Sequence, residues 1–322
     1  MLAAALRAGL LLPYGCRDGA CGSCKSKILE GSVDYGRHQP GTLTDIEKKQ
    51  GLALPCVARP LSAVTLECGE VRRAGDIQIR KLPCRIEKIE LAAPDVAILS
   101  LKLPANERLQ FLAGQYVDVL LREGARRSFS LASAPHDDGF LQLHVRHMPG
   151  GLFTDPLFRD LPVKQILRIE GPHGAFYLRE TSDKPMIFVA GGTGFAPVKS
   201  VIEHAFHLGT EREMVLYWGV RSLCDLYLPG LPGEWQRAHP NFTFIPVLSN
   251  PQPEDHWPGR VGLVHQAVLD DFPDLAACQV YACGAPAMIA AARRDFAGLR
   301  RLPEDEFFAD SFTTAVQPVT GD

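Results

Sequence analysis

The pattern of apolar and polar positions changes twice along this chain of 322 residues. Residues 1–70 carry short, scattered apolar runs, which predict one helix at 2–12 and two strands at 27–31 and 64–67. Residues 71–82 are charged and show little apolar periodicity, as expected of a linker between domains. The pattern therefore predicts a small N-terminal domain of mixed elements, followed by a boundary before residue 83.

Residues 83–181 have an all-β pattern. Short alternating runs are separated by turn signals such as Asp137-Asp138-Gly139 and Pro149-Gly150-Gly151. The predicted strands are 84–91, 96–103, 116–121, 127–131, 141–146 and 166–170. Short strands at this spacing predict a six-stranded antiparallel barrel.

Residues 182–322 alternate between strands and helices. Apolar runs indicate buried parallel strands at 186–190, 214–218, 242–248 and 279–283. A helix is predicted at 197–208, because apolar residues recur along one face and Gly209 provides a C-terminal stop. The alternation predicts a doubly wound parallel α/β domain, and hence a multidomain chain of α+β and α/β parts.

Composition excludes several classes of function. The net charge is −3, whereas a nucleic-acid-binding protein would be markedly basic. No apolar run reaches the roughly 18 residues that span a membrane. The apolar segment 2–12 lacks the basic leader and cleavage site of a signal peptide. Since nine cysteines occur without a secretory segment, we expect a cytoplasmic protein with no membrane or nucleic-acid partner.

Four cysteines are spaced as the ligands of a plant-type [2Fe–2S] cluster, C-x4-C-x2-C with a fourth cysteine downstream. They are Cys16, Cys21, Cys24 and Cys56. The small residues between them let backbone N–H groups approach a cluster. A zinc site or a disulfide pair is the alternative, but only one pair has the spacing of a zinc knuckle. The cysteines expected to be packing residues are Cys68, Cys84, Cys224 and Cys278.

The segments YGCRDGACGSCKSKILEG (14–31) and LALPCVARP (52–60) resemble the plant-type ferredoxin module at the N terminus of bacterial oxidoreductases. The resemblance implies a β-grasp fold, in which a β-hairpin and a helix precede the cluster loop. This sequence has the helix but no hairpin before it, so the strand at 64–67 would lack its usual N-terminal partner. We therefore expect the native start to lie upstream and the domain to be truncated at Met1.

Two motifs in the predicted barrel resemble the flavin site of the ferredoxin-NADP reductase superfamily. The first motif is Arg127-Ser128-Phe129-Ser130-Leu131, which matches the superfamily pattern R-x-[YF]-S-[TL]. Its aromatic residue can stack on the flavin, its second serine can hydrogen-bond the flavin N5, and its arginine can neutralise a phosphate. The second motif, which could offer free N–H groups to a pyrophosphate, comprises His144, Val145, Arg146, Gly150, Gly151 and Thr154. A barrel strand with incidental polar residues is the alternative. The resemblance implies FAD, which ferredoxin-first members of the family use.

Two further motifs lie at carboxyl ends of the predicted parallel strands, where such sheets bind ligands. The first of these motifs is Gly191-Gly192-Thr193-Gly194-Phe195-Ala196-Pro197. It departs from the G-x-G-x-x-G dinucleotide fingerprint. It matches the superfamily element G-G-T-G-[FIL]-A-P, which in that family lies under the nicotinamide nucleotide. Cys283-Gly284-Ala285-Pro286-Ala287-Met288 matches C-G-x-P-x-M. The match implies that Cys283 sits near the hydride-donating carbon, and inert packing is the alternative.

The expected nucleotide is NADH, with NADPH less favoured. Arg221 could accept a 2′-phosphate, but Asp225 is close by and the Ser/Arg/Lys/Tyr cluster of NADPH-specific relatives is missing. The tail at 307–312 resembles the family's aromatic strand near the flavin, and a core role for its phenylalanines is the alternative.

The motif order identifies the chain as a member of the ferredoxin-fused ferredoxin-NADP reductase superfamily. The implied function is an electron relay from NADH to FAD, to the [2Fe–2S] cluster and then to a redox partner protein. That partner is an oxygenase, a monooxygenase or a dehydrase, and the ferredoxin loop and tail resemble the CDP-6-deoxy-Δ3,4-glucoseen reductases. The residues expected nearest the reacting atoms are Ser130, Thr193 and Cys283. The alternatives are a cluster-based redox sensor and a diaphorase with a defective ferredoxin module.

Overall fold

The computed structural model describes residues 1–68, 71–73, 77–137, 139–160 and 163–312. The α-helices are α1 (Leu2–Arg7), α2 (Asp45–Lys49), α3 (Thr154–Arg159), α4 (Phe195–His207), α5 (Gly230–Ala238), α6 (Val264–Asp271) and α7 (Pro286–Arg300). Short 3-10 turns lie at Arg122–Gly124, Gly192–Gly194, Leu223–Asp225, Pro253–Asp255 and Glu304–Glu306. None of the helices within these ranges is long and apolar enough to cross a membrane.

The N-terminal domain is built on short antiparallel ladders. Its strands are β1 (Leu10–Leu11), β2 (Ser26–Glu30), β3 (Val33–Asp34), β4 (Leu52–Ala53), β5 (Arg59–Pro60), β6 (Thr65–Glu67) and β7 (Arg72–Arg73). The ladders are β4-β2-β6, β3-β5 and β1-β7. The predicted strand at 64–67 is β6, which pairs with β2 on one edge and has no ladder partner on the other among the described residues.

The N-terminal helix is shorter than predicted. α1 ends at Arg7 rather than at residue 12, and Leu10–Leu11 instead pairs with Arg72–Arg73. The cause is Gly9, whose φ of +72° places it in the left-handed conformation that commonly ends a helix. Leu2 of this helix still packs into the domain core with Leu43 and Leu54.

The second domain is the predicted six-stranded antiparallel barrel. Its strands are β8 (Arg80–Ala93), β9 (Val96–Lys102), β10 (Tyr116–Leu120), β11 (Arg126–Ser130), β12 (Leu141–Arg146) and β13 (Ile166–His173), in the order β11-β10-β13-β8-β9-β12. A bridge between Leu131 and Leu143 joins the two outer strands and closes the barrel. β8 begins earlier than predicted, and Leu82 in its added part is buried in the barrel core.

The third domain is a parallel sheet with helices on both faces, as predicted. Its strands are β14 (Met186–Gly191), β15 (Met214–Val220), β16 (Phe242–Leu248), β17 (Arg260–Val261), β18 (Gln279–Gly284) and β19 (Phe307–Ser311), in the order β17-β16-β15-β14-β18-β19. Phe188 of β14 packs with α4 and α5, whereas Val189 packs with α6 and α7. Neighbouring residues of β14 thus pack on opposite faces of the sheet, as expected of a doubly wound sheet, which carries helices on both faces.

The three domains are in contact, and these contacts place the candidate site. Val96 and Ile98 of the barrel share a core with the parallel sheet. The hydroxyl of Ser200 in α4 donates to the Ser133 carbonyl of the barrel at 2.8 Å. The hydroxyl of Ser23 in the N-terminal domain lies 3.3 Å from the Ala309 carbonyl on β19. The Tyr116 hydroxyl of the barrel donates to the Gly15 carbonyl at 3.0 Å, so the stretch that carries Cys16, Cys21 and Cys24 lies against both other domains.

Candidate functional site

A cavity of about 1240 Å³ lies where the three domains meet, which is large enough for nucleotide cofactors. The predicted site residues that line it are Cys16, Arg127, Phe129, Ser130, His144, Arg146, Gly150, Gly151, Thr154, Gly191, Gly192 and Thr193. The predicted residues outside its lining are Cys21, Cys24, Cys56, Val145, Gly194, Pro197, Cys283 and Gly284. Motifs from all three predicted modules thus share one space.

Four thiols come together in and beside the cysteine loop, which we define as residues 13–24. The sulfurs of Cys24 and Cys56 are 3.2 Å apart. The backbone N–H of Cys16 donates to the sulfur of Cys21 at 3.4 Å, and the N–H of Ala20 donates to the sulfur of Cys16 at the same distance. Because backbone N–H groups already point at the sulfurs of a four-thiol donor set, these residues fit a [2Fe–2S] cluster.

Glycine is required inside this loop. Gly19 has a φ of +79°, and a Cβ there would lie 3.0 Å from the Arg37 carbonyl oxygen.

All nine cysteines fall within the described residues and all are free thiols. Of the four expected packing cysteines, Cys84 and Cys278 are buried and Cys68 packs, partly buried, against the N-terminal core, but Cys224 is exposed, so that prediction is wrong for Cys224.

The thiols form two hydrogen-bonded pairs with opposite pKa shifts. In the first pair, the bond between Cys16 and Cys21 raises the pKa of Cys16 and lowers the pKa of Cys21 to about 6. In the second pair, the bond between Cys24 and Cys56 raises the pKa of Cys24 and lowers the pKa of Cys56. A lowered pKa favours the thiolate, which is the form that binds metals.

The predicted flavin motif lies on β11 along the barrel wall. Ser130 is buried, and its strand neighbour on β10 is Tyr116, which also lines the cavity. The Phe129 ring is half-buried, and its centroid lies 5.2 Å from the Phe153 ring. The Arg127 guanidinium donates to the neighbouring Arg126 carbonyl at 2.9 Å. Phe129 therefore contributes both to the barrel core and to the cavity wall.

The turn before α3 differs from its prediction. Its glycines were expected to offer free N–H groups, but Gly151 donates to the Met148 carbonyl at 2.9 Å and Gly150 donates to the Asp155 carboxylate at 3.2 Å. A Cβ at Gly151 would lie 2.3 Å from the Thr154 hydroxyl oxygen. The glycines therefore permit a tight turn that is closed by its own hydrogen bonds.

His144 and Arg146 lie where the barrel meets the parallel sheet. The two ring nitrogens of His144 contact the Tyr227 hydroxyl at 2.8 Å and the Gln142 side chain at 3.2 Å. Complete burial, with the charge of Lys199, lowers the pKa of His144 to about 3, so it is neutral at pH 7. Val145 between them is fully buried in the barrel core.

Arg146 bridges two domains through its guanidinium. Its Nε is 2.7 Å from Asp95 of the barrel, and its Nη2 is 3.5 Å from Asp225 of the parallel-sheet domain. Its Nη1 lies 3.1 Å from the position that a Cβ at Gly192 would take. A fixed positive charge therefore faces the glycine loop, which we define as residues 191–194.

The glycine loop follows β14 and opens α4 as expected. The Trp218 indole N–H donates to the Gly192 carbonyl at 2.9 Å, and Gly192 has a φ of +53°. A Cβ at Gly194 would lie 2.1 Å from the Cys283 carbonyl oxygen, so glycine is needed where two loops touch. Pro197 is buried in α4 and does not reach the cavity.

Cys283 is the second-last residue of β18 and is completely buried, and burial raises the pKa of its thiol well above the usual range. Its strand partners are Ala190 on β14 and Asp310 on β19. The carbonyl of the next residue, Gly284, accepts the N–H of Phe312 at 2.9 Å, and Phe312 lines the cavity. The tail thus forms a strand beside the cavity, while Phe307 packs into the core.

Sequence reasoning missed two buried carboxylates close to the cavity. Asp310 lines it, and burial, with the nearby Cys21, raises the pKa of Asp310 to about 7. Asp118 on β10 is fully buried and pairs with Arg17 of the cysteine loop. The signal that could have found both was an acidic residue within an otherwise apolar strand.

Three family models match the chain in the predicted order. The 2Fe-2S iron-sulfur cluster binding domain matches residues 1–61, the oxidoreductase FAD-binding domain residues 83–177, and the oxidoreductase NAD-binding domain residues 188–294. These matches and the observed sheets confirm the predicted fold class.

Similar proteins share this organisation over nearly their whole length. The CDP-6-deoxy-L-threo-D-glycero-4-hexulose-3-dehydrase reductase of Yersinia pseudotuberculosis is 42% identical over 97% of this chain and 92% of its own. The terephthalate 1,2-dioxygenase reductase component 2 of Comamonas is 36% identical over 98% of this chain and 92% of its own. The crystal structure of the Amycolatopsis cytochrome P450 reductase GcoB superposes with a TM-score of 0.81, at 36% identity, covering 98% and 94% of the two chains.

The fold and the shared cavity define an NAD(P)H-dependent oxidoreductase that combines an iron–sulfur domain with a flavin domain. The chain belongs to the ferredoxin-fused branch of the ferredoxin-NADP reductase superfamily. Its cofactors are accordingly a [2Fe–2S] cluster, FAD and a nicotinamide nucleotide, and it passes electrons from that nucleotide to a partner protein.

Proposed function

We propose that this reductase uses NADH and that its partner is a 3-dehydrase acting on a CDP-6-deoxy-hexulose. The observation that carries the choice of partner is the 42% identity to the Yersinia dehydrase reductase along 97% of the chain, against 36% for the dioxygenase reductase. Oxygenase components are the competing partners, since reductases of both kinds share the three domains.

The proposed cluster ligands are Cys16, Cys21, Cys24 and Cys56. When bound, FAD accepts an electron pair from the reduced nicotinamide and releases single electrons to the cluster. We assign the FAD and nucleotide sites to the predicted residues that line the cavity. Ser130 would hydrogen-bond the flavin ring, Phe129 would pack against it and Arg127 would neutralise phosphate.

The remaining predicted residues support these sites through other contacts, some from the cavity lining and some from behind it. His144 is held neutral with both ring nitrogens partnered, so we propose that it fixes the barrel against the parallel sheet. Val145 is buried in the barrel core and Pro197 is buried in α4. On the nucleotide side, Thr193 reaches the cavity directly, while Cys283 supports it through the backbone contact with Gly194. Arg146 offers positive charge beside Gly192, which suits a nucleotide phosphate.

The preference for NADH rests on the charges after β15. Arg221 is exposed and lines the cavity, but Asp225 lies in the same loop. The Asp225 carboxylate accepts the Ser222 N–H at 2.9 Å and its hydroxyl at 3.0 Å. The nearby Arg146 guanidinium is shared between Asp225 and Asp95, so a net negative charge remains beside the cavity and would repel the 2′-phosphate of NADPH.

The chain is proposed to divide into a ferredoxin domain at 1–70, a linker at 71–82, an FAD domain at 83–181 and an NAD domain at 182–322. A cytoplasmic location is proposed because a reducing compartment disfavours disulfides, and none of the nine cysteines, each within the described residues, forms one.

An anaerobic NADH titration followed by visible absorbance tests the relay. Loss of both the flavin and the cluster bands is the expected result. Loss of the flavin band alone, with no iron present, would instead indicate a diaphorase. Slow NADH-dependent reduction of cytochrome c by a cluster-loaded protein would favour a redox sensor, in which turnover is incidental.

A reconstitution experiment tests the partner. The reductase is combined with a CDP-6-deoxy-L-threo-D-glycero-4-hexulose 3-dehydrase and its hexulose substrate, and NADH oxidation coupled to product formation is measured. The matched comparison replaces the dehydrase with the terminal oxygenase of a terephthalate 1,2-dioxygenase and its substrate. Coupling to the oxygenase but not to the dehydrase would overturn the proposed partner while leaving the relay intact.

A further inference from the structure

A buried ion pair joins the cysteine loop to the barrel. Arg17 directly follows Cys16, and its Nη2 lies 2.5 Å from Oδ2 of Asp118 on β10. The Asp118 side chain has no exposed surface, and that of Arg17 is 25% exposed. Arg17 has a φ of +63°, an uncommon conformation for a residue other than glycine. The residue with this left-handed backbone conformation is therefore also the one whose side chain joins the N-terminal domain to the barrel.

The Asp118 carboxylate is held in place by other groups of the barrel. The Ser128 hydroxyl donates to Oδ1 at 2.7 Å, and Arg126 Nη1 lies 3.2 Å from Oδ2. Burial alone would raise the pKa of Asp118, but the charge of Arg17 and the hydrogen bonds from Ser128 and Arg17 outweigh it and keep the pKa below its usual range. Asp118 is therefore a charged, fixed anchor at neutral pH.

Two more contacts fasten the same stretch of the loop. The Tyr116 hydroxyl donates to the Gly15 carbonyl at 3.0 Å, and the Ala175 N–H donates to the Tyr14 carbonyl at 3.0 Å. The Arg17 guanidinium carbon also lies 5.6 Å from the centre of the Tyr116 ring. Residues 14–17 are thus tied to the barrel at successive positions, and the proposed ligand Cys16 lies between them.

The neighbourhood of Asp118 is unsuited to a metal ion, although Glu170 and His173 also lie close to it. Arg126 lies 3.1 Å from Glu170 as well as 3.2 Å from Asp118, and Arg17 is closer still to Asp118, so two cations already neutralise the carboxylates. Burial and the charge of Arg17 outweigh the neighbouring carboxylates and lower the pKa of His173 to about 4, so its ring is neutral at pH 7. The cluster of side chains serves the domain contact.

We propose that Asp118 is a positioning residue which, through Arg17, fixes the cysteine loop against the barrel and thereby sets the rate of electron transfer between the two cofactor sites. Electron transfer slows as its donor and acceptor separate, so a loop that moves away from the barrel would pass electrons to the cluster more slowly. The proposal rests on the ligation of the cluster by Cys16.

The test compares Asp118→Asn, Arg17→Gln, the double variant and the unmodified chain. Glu87→Gln is the matched control, since it also neutralises a barrel carboxylate, but one whose ion pairs are with Arg85 and Lys164 of the barrel. The readouts are hydrogen exchange of a peptide covering residues 14–24, iron content, the electron paramagnetic resonance spectrum of the reduced cluster, and stopped-flow rates of flavin and cluster reduction by NADH.

We expect Asp118→Asn to leave flavin reduction within about twofold and to slow cluster reduction at least about tenfold, with faster exchange in the loop. Arg17→Gln should behave alike, and the double variant should be no slower than either single variant, because both changes remove one interaction. Glu87→Gln should match the unmodified chain in every readout.

Four outcomes would overturn the proposal. Unchanged loop exchange and unchanged cluster reduction in Asp118→Asn would show that the ion pair positions nothing. An equal fall in both rates, or loss of iron from the variant, would show a general structural role. Additive losses in the double variant would show that Asp118 does not act through Arg17. An iron-free unmodified chain would refute the ligation by Cys16, while hydrogen exchange would still decide whether Asp118 holds the loop.

Discussion

Replacing Gly194 by alanine tests whether the nucleotide site depends on the close approach of two loops. The added Cβ would lie 2.1 Å from the Cys283 carbonyl oxygen and 2.6 Å from its carbonyl carbon. Contacts under 3.0 Å are essentially never observed for a Cβ, so the glycine loop and the end of β18 must separate by about 1 Å. The φ of Gly194 is −58°, so alanine meets no backbone strain and the test is purely steric.

The expected loss of stability follows from that overlap. Overpacking costs about 1–3 kcal/mol, and we expect the upper end because both crowded atoms belong to the backbone. A loss of about 3 kcal/mol lowers the unfolding midpoint by roughly 6–12 °C for a domain of this size. Since Thr193 precedes Gly194 and lines the cavity, kcat/KM for NADH should also fall at least about tenfold.

The assay combines thermal unfolding by calorimetry with steady-state NADH oxidation using ferricyanide. The matched control is Gly233→Ala in the middle of α5, where no atom lies within 4 Å of the added Cβ. Alanine has the better helix propensity, so this control should gain about 0.5–1 kcal/mol and keep its kcat/KM. If Gly194→Ala unfolds within about 1 °C of the parent and keeps its kcat/KM, the reasoning is refuted.

Three further predictions follow from the site. Cys24→Ser should abolish bound iron while FAD remains, as measured by iron analysis and visible absorbance. The control Cys68→Ser should retain iron. Iron retained in Cys24→Ser would contradict the assigned ligands. The folded-state pKa of His144 is about 3, below its unfolded value of about 6.5, so stability is lost as pH falls between these values, by about 2 kcal/mol from pH 7 to pH 5. His144→Gln should flatten that dependence in chemical denaturation, and an unchanged slope would count against it. Asp225→Ser should raise the ratio of kcat/KM for NADPH over NADH about tenfold, equivalent to about 1.4 kcal/mol, and an unchanged ratio would show that Asp225 does not select the nucleotide.

Much of the fold could be predicted because it depends on local patterns. Every predicted strand of the barrel and of the parallel sheet is present, since alternation and buried apolar runs are set by neighbours along the chain. The errors arose where one residue changed the local geometry, as at Gly9, or where a short ladder such as β17 carried too little pattern. The turn at Gly150 and Gly151 was misjudged because its hydrogen bonds depend on where the Met148 carbonyl and the Asp155 carboxylate lie.

By itself, the sequence determined the order of the three domains, the spacing of the four proposed ligands and the family. Only the tertiary structure placed Arg17 on Asp118, 101 residues away, and Gly194 against the Cys283 carbonyl. It also buried Asp310 beside the cavity, which raises the pKa of that carboxyl. The physical reason is that motif spacing reflects the geometry of a short stretch of backbone. Burial, charge pairing and close approach depend instead on which distant segments pack together.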